Sequence, residues 1–598
     1  MDQRSHCFIV ILPFALLCGC GGQTASDPPP PPPVTPAALS YADLFSTDAP
    51  SSPIADEEFA PPANASPPTE SFEGRLDLGN PFGEGGFTPL LDEYGMAADS
   101  QSPWRHPPPI NLDFVQDGGA LIPATQGLVY TGHPAWNIII GPGRVWQESG
   151  DSGYMRASLP LTLVQRNLNC THNGLMTFLF NDTLSPNISH VRYQFTQETC
   201  SYFKFNMWGK FAATYTPHPV AGSATLRSDH AAEMANRLPT RPVSALATDF
   251  PGVDPSAFVS DYASPPELTT YGVVANGINY AGPCPTRFGT YPFCSEMRMA
   301  SWSTAKSILN SIAMMRLGQV YGSEVYSQLI RDYVPESIRG GDWSAVTFGH
   351  TLDMTTGNYQ SANYMADDNG ADGQAFIRAE SYDAKMDLAF RPFPHQAAPG
   401  TTWVYQTFAS FILNQAMTRY LQQRRGDSWD TFNLLREDVL KPIHISQGFD
   451  TLRTDNRPAG MPLGGLGLFF IPDDVAKVAK LLTNDAGGVS GSQVLDSRML
   501  AASLFQDPAD LGMQVPDSHP RPVPNTYRYN NGFWAKRMAP VEFPQYACDF
   551  WVPYMSGHGG ISIVLIPNGV AFYAFSDDFE YTWFSAVHEA NKLAPVCP

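Results

Sequence analysis

The sequence predicts an α+β protein in which a small β-rich part precedes a larger part that combines helices with antiparallel strands. Three observations carry this. Between Phe72 and Gly222 apolar and polar residues alternate, as in Val191, Tyr193 and Phe195 set between Arg192, Gln194 and Thr196, which is the period of a strand. From Ser303 an apolar run through Ile308, Leu309, Ile312, Met315 and Leu317 ends at Gly318, the length and stop of a helix. Near the C-terminus, Ile561–Ile566 and Val570–Phe575 flank Pro567-Asn568-Gly569, a tight turn between two strands.

Taken in chain order, residues 1–19 read as a targeting segment. Arg4 precedes an apolar run from Phe8 to Leu17 that is too short to span a bilayer. Leu17-Cys18-Gly19-Cys20 resembles a bacterial lipoprotein signal cleaved before Cys20, which would carry the lipid and tie the chain to a membrane. Gly21, rather than an acidic residue, points to the outer membrane, facing periplasm or surface. Residues 20–71, with the unbroken proline run Pro28 to Pro33, read as an extended tether. Residues 72–225 form the β-rich part, with Asn173-Gly174 expected as a hairpin turn between Leu161–Val164 and Leu175–Phe180. Residues 226–598 form the larger part.

Of nine cysteines, Cys7 and Cys18 leave with the signal and Cys20 takes the lipid. Cys170, Cys200, Cys284, Cys294, Cys548 and Cys597 remain, an even number in an exported chain, and neighbours are expected to pair as disulfides. No Cys-x-x-Cys or His-Glu-x-x-His occurs, so no metal site is expected, and no cofactor. A net charge of −21 argues against nucleic acid as a partner.

The chemistry concentrates at Ser303-Thr304-Ala305-Lys306. Residues three apart on a helix share a face, so an amine stands beside a hydroxyl, and apolar surroundings favour the neutral, basic amine. Such a hydroxyl becomes a nucleophile once its proton is taken. The same spacing at Ser201 and Lys204 falls in a strand pattern, where the two face opposite sides. Gly150-Asp151-Ser152-Gly153 reads as a turn. Downstream stand Tyr405-Gln406-Thr407, before an apolar stretch to Met417, and Gly557-His558-Gly559-Gly560, leading into the strand at Ile561.

Ser-x-x-Lys, then a tyrosine motif, then a basic residue with two glycines at a strand resembles the serine beta-lactamase and penicillin-recognising hydrolases. The likeness is greatest to the class C-like branch of esterases, D-aminopeptidases and 6-aminohexanoate-oligomer hydrolases. Val346–Gly357, Gly464–Gly467 and Pro472–Ala476 add to it. The resemblance implies an antiparallel sheet flanked by helices and a small ester or amide substrate. It implies catalytic roles for Ser303, Lys306, Tyr405 and His558, with either Lys306 or Tyr405 as base. The oxyanion would sit on the backbone N–H groups of Ser303 and Ile561, and Thr407, Gly559 and Gly560 would line the substrate. Family beta-lactamases carry lysine where this chain has His558, which ranks esters first, amides second and beta-lactams last. The alternative class is a penicillin-recognising receptor or a binding protein without turnover.

Overall fold

The computed structural model describes residues 39–262, 267–516 and 526–597. The segment expected as a signal, Cys20 and the proline run lie outside them.

The β-rich part is built from nine strands: β1 (Glu73–Asp92), β2 (Ile110–Asp117), β3 (Ala120–Pro123), β4 (Trp136–Ile140), β5 (Gly143–Gln147), β6 (Met155–Gln165), β7 (Thr171–Phe180), β8 (Val191–Thr199) and β9 (Phe203–Pro217). Eight of them close into an antiparallel ring, β6-β7-β8-β9-β1-β2-β3-β5 and back to β6. The first half of β6 pairs with β5, its second half with β4, and its other edge with β7. An eight-stranded ring is just wide enough for side chains to fill. Here aromatics fill it: Phe72 packs at once on Phe114 of β2, Phe178 and Phe180 of β7, and Tyr215 of β9. Strands β2 and β7 are not neighbours, so these contacts cross the interior.

Two local expectations change. Asn173-Gly174 is not a turn; both lie inside β7, and the connection from β6 is made one turn earlier, through Asn167 at φ +65°. Asn173 is spent on a buried contact, accepting from the Arg298 amide at 3.1 Å and donating to its carbonyl at 3.0 Å. Gly174 leaves room for Phe195, which would lie 2.3 Å from a Cβ.

Residues 39–71, expected as tether, are packed on the fold instead. From Leu39 onward the chain packs as a strap on the outside of the ring, where Leu44 and Phe59 cover Leu175 and Leu179 of β7. Lys210 donates to the carbonyls of Asp43, Ser46 and Asp48, and Gln194 both accepts from the Ile54 amide and donates to its carbonyl. Asp56, fully buried, accepts from Gln194 and Thr196, and burial pushes its carboxyl up to about 6.

The second sheet runs β10 (Thr240–Pro242), β12 (Ile278–Ala281), β11 (Leu268–Ala275), β18 (Ala571–Ser576), β17 (Ile561–Leu565), β16 (Phe550–Gly557), β15 (Phe533–Met538), β14 (Tyr527–Asn530) and β13 (Met513–Gln514). Every pairing is antiparallel except β10 with β12. The β17–β18 hairpin turns at Asn568-Gly569, with Gly569 at φ +83°, as its sequence signals. The helices that matter to the site are α1 (Ile312–Tyr321), continuous with a π-helical stretch over Lys306–Ser311, and α2 (Thr407–Arg425), while α3 (Pro472–Leu482) packs against β11, β12 and β18. An antiparallel sheet flanked by helices is therefore present.

The structure joins Cys170 to Cys200, Cys284 to Cys294 and Cys548 to Cys597. No helix among the described residues is long and apolar enough to cross a membrane.

Candidate active site

Ser303 stands in the turn that opens the α1 helical run, partly exposed, while Lys306 one turn on is 2% exposed. The π-helical winding at Lys306–Ser311 is the kind of irregularity that recurs at functional sites. Lys306 Nζ lies 2.8 Å from Ser303 Oγ, 3.0 Å from Thr407 Oγ1 and 3.2 Å from the Gly465 carbonyl. Burial lowers the lysine to about 8, with Asp368 opposing the shift. As an ammonium, Nζ donates one hydrogen to each of Ser303 Oγ, Thr407 Oγ1 and the Gly465 carbonyl. Once it loses a proton, two hydrogens suffice for Thr407 and Gly465, and the lone pair is free to accept from Ser303.

Tyr405, 3% exposed, closes the other side, and its hydroxyl hydrogen-bonds Ser303. Burial holds its phenol well above the ordinary value, with Tyr529 and Asp368 adding to the rise and the Ser303 bond opposing it. Thr407 opens α2 directly after, so the Tyr405-Gln406-Thr407 spacing delivers two groups to Lys306 from one helix start. Thr407 thereby serves the lysine, where the sequence placed it on the substrate.

Sequence reasoning missed Asp368. It is buried, its carboxylate accepts from the Thr407 amide at 2.6 Å, and its charge reaches Lys306, Tyr405 and His558. The only signal was two successive aspartates, Asp367 and Asp368, with no family motif around them.

His558 is at the β16–β17 hairpin turn. It is exposed on the cleft side yet surrounded by protein, and burial lowers its pKa. Its ring packs on Trp302 at 4.9 Å and Phe579 at 5.2 Å, and its Nε2 lies 3.0 Å from Ser201 Oγ. It thus flanks the residue before Ser303 and stands outside the Lys306 hydrogen bonds. Ser201 is therefore a neighbour of the site through His558 rather than a partner of Lys204.

The glycines act differently from expectation. Gly559 and Gly560 have φ of +94° and +103°, which the turn requires. A Cβ on Gly560 would meet the Glu580 carbonyl at 2.8 Å, so it faces protein rather than open cleft. Close approach instead falls at Gly557, where a Cβ would lie 2.7 Å from the Ser301 carbonyl and 3.3 Å from Trp302 Cβ. That contact lays the mouth of the hairpin, where Gly557 pairs with Ile561, against the Ser303 turn. Among the described residues the Ser303 amide has no backbone acceptor.

Three exposed aromatics stand around these residues. Phe579 lies on His558, Tyr581 accepts from the Gly559 amide at 3.2 Å, and Tyr364 stacks on Trp403, itself 6.1 Å from Tyr405.

No family model matches this sequence, and no curated protein matches it. Among solved structures the chain is similar to a putative 6-aminohexanoate-dimer hydrolase from Bacillus anthracis, at 16% identity and a TM-score of 0.39, over 59% of this chain and 80% of that one. A family VIII carboxylesterase matches at 14% identity and a TM-score of 0.41, over 59% and 98% of the two chains. A class C beta-lactamase mutant matches at 12% and 0.37, over 63% and 99%. By name these three neighbours are a dimer hydrolase, a carboxylesterase and a beta-lactamase.

Proposed function

We propose that the protein is a serine hydrolase that cleaves an ester or amide through an acyl-Ser303 intermediate. The observation that carries this is the trio of partners around a buried Lys306. Neutral Lys306 takes the Ser303 proton as Oγ attacks the carbonyl carbon. The oxyanion is held by the backbone N–H groups of Ser303 and Ile561, each such donor typically lowering the barrier by about 3 kcal/mol. Tyr405, kept protonated by burial, hands a proton toward the leaving group and recovers one from the Lys306–Ser303 pair. Water, deprotonated by Lys306, attacks the acyl carbon; the Oγ–acyl bond breaks, and Lys306 returns that proton to Ser303 Oγ as the acid leaves.

The substrate we infer is an uncharged ester. Burial keeps His558 largely neutral near pH 7, so it offers no fixed cation for a substrate carboxylate, and the three exposed aromatics favour apolar groups. Export and lipidation at Cys20 complete the proposal. They are supported by Leu17-Cys18-Gly19-Cys20 and by three disulfides, which persist in oxidising compartments.

A fluorophosphonate probe with peptide mapping tests the nucleophile: it labels Ser303, and Ser303→Ala abolishes labelling. Labelling that survives the substitution ends the proposal. A panel of nitrophenyl esters, aminohexanoate dimer, D-amino-acid amides and nitrocefin, ranked by kcat/KM, tests the substrate class. Esters lead it; nitrocefin turned over far faster than every ester restores a beta-lactamase. A single burst without turnover identifies a receptor.

A further inference from the structure

We propose that Asn169 and Ser201, both from the β-ring, are positioning residues of the active site, presented together by the Cys170–Cys200 disulfide. The inference rests on the reading of Ser303 as nucleophile.

Asn169 lies in the β6–β7 connection and is fully buried. Its Oδ1 accepts from the Trp302 amide at 2.6 Å, the Ser301 hydroxyl at 2.9 Å and the Gly467 amide at 2.9 Å, while its Nδ2 donates to the Leu468 carbonyl at 3.3 Å. One amide therefore ties two segments together. The first is the turn that aims Ser303. The second is the strand entry that follows Gly465, whose carbonyl holds Lys306. Trp302 has φ +42°, a left-handed conformation that a tryptophan adopts only when its surroundings impose it. The Asn169 bond is one such constraint, placed one residue before the nucleophile.

Ser201 follows Cys200 directly, as Asn169 precedes Cys170, and the Cα atoms of the two cysteines are 5.0 Å apart. Ser201 Oγ holds His558 Nε2. The Cys200 amide donates to Asp577, which Lys204 also grips at 2.9 Å, so this arm is fixed to the end of β18. The ring thus supplies one polar group behind Ser303 and one behind His558.

The plain alternative is interface glue, and Asn137 provides the control. It too is fully buried in the ring and reaches across, donating to Asn456 at 2.7 Å, away from Ser303. The experiment measures kcat, KM, thermal midpoint and fluorophosphonate labelling rate for Asn169→Ala, Asn169→Asp, Asn137→Ala and the Cys170→Ser/Cys200→Ser pair, in the full chain. Asn169→Ala is expected to lower kcat and labelling rate by about 100-fold with KM little changed, the scale of a misplaced reacting group. Asn169→Asp, which keeps an oxygen for Trp302 but loses the donor to Leu468, is expected to recover about tenfold of that loss and to stay about tenfold below the wild type. The cysteine pair is expected to lower kcat in the same direction, and Asn137→Ala to leave it unchanged even where its thermal midpoint falls. Unchanged kcat in Asn169→Ala, or losses in Asn169→Ala and Asn137→Ala that simply follow their midpoints, overturns the proposal. If Asn169→Ala does not fold, Asn169→Asp decides: wild-type KM with a reduced kcat supports positioning, and wild-type kcat overturns it. Labelling that survives Ser303→Ala instead removes the nucleophile reading on which the inference stands.

Discussion

Lys306 Nζ lies 4.8 Å from the centroid of the Tyr405 ring, so the two groups able to act as base share one buried space. Burial favours the uncharged form of each, and so lowers the pKa of the amine and raises that of the phenol. The amine reaches its basic form near neutrality, and the phenol does not.

A pH profile follows. Below about 8 the lysine is increasingly protonated, and kcat/KM for a neutral ester should fall toward tenfold per unit of pH, with a plateau above. The linked stability has a definite sign. Burial moves the ammonium from 10.5 down to about 8, so between those values the unfolded chain binds more protons, and stability contributed by this group rises with pH. Steady-state kinetics from pH 5.5 to 9.5 check the first point; a flat profile across neutrality contradicts it.

Tyr405→Phe separates the two groups. With Lys306 as base, the variant should lose about 100-fold or more in kcat for want of a proton donor while keeping the midpoint near 8. Lys306→Met should remove the midpoint itself. A profile that loses its midpoint in Tyr405→Phe transfers the base role to the tyrosine.

Phe59→Ala tests the strap. Phe59 is fully buried against the outer face of the ring, and truncating such a side chain costs about 3–5 kcal/mol. Urea unfolding should show that loss with kcat unchanged, since the strap touches none of the site residues. A cost below about 1 kcal/mol would mean that the segment is not docked in solution.

Palmitate incorporation tests the anchor. Expressed in a Gram-negative host, the full chain should take the label and sediment with outer membranes, and Cys20→Ser should lose the label. Recovery of the unsubstituted chain as a soluble, unlabelled periplasmic protein removes the anchor.

What could be read in the sequence was whatever local spacing decides. Ser303 and Lys306 are one helical turn apart, Tyr405 and Thr407 open a helix together, and the Pro567-Asn568-Gly569 turn fixes its hairpin. What escaped depended on distant partners. Asn173-Gly174 has turn chemistry, yet hydrogen bonds to the Arg298 backbone and the ring of Phe195 hold it inside a strand. Ser201 looked like a decoy because its partner, His558, lies far along the chain. Asp368 gives no periodic signal at all; it is recognised only when the Thr407 amide arrives beside it. Closure of the ring escaped for the same reason, since β6 must pair on both edges, and on one edge with two different strands.

The middle of the second sheet is a seam between distant parts of the chain. β11 lies beside β18, with Val273 opposite Phe572, so most of the larger part must be synthesised before the seam can form. Long-range pairing of this kind is slow to form and leaves unpaired edges exposed meanwhile. Among the described residues, the strand made last is therefore an inner one. A tag, truncation or frameshift near residue 571 acts on the centre of the sheet rather than on its margin, and exchange of the amides along β11 should report such a lesion before any change at the N-terminal ring.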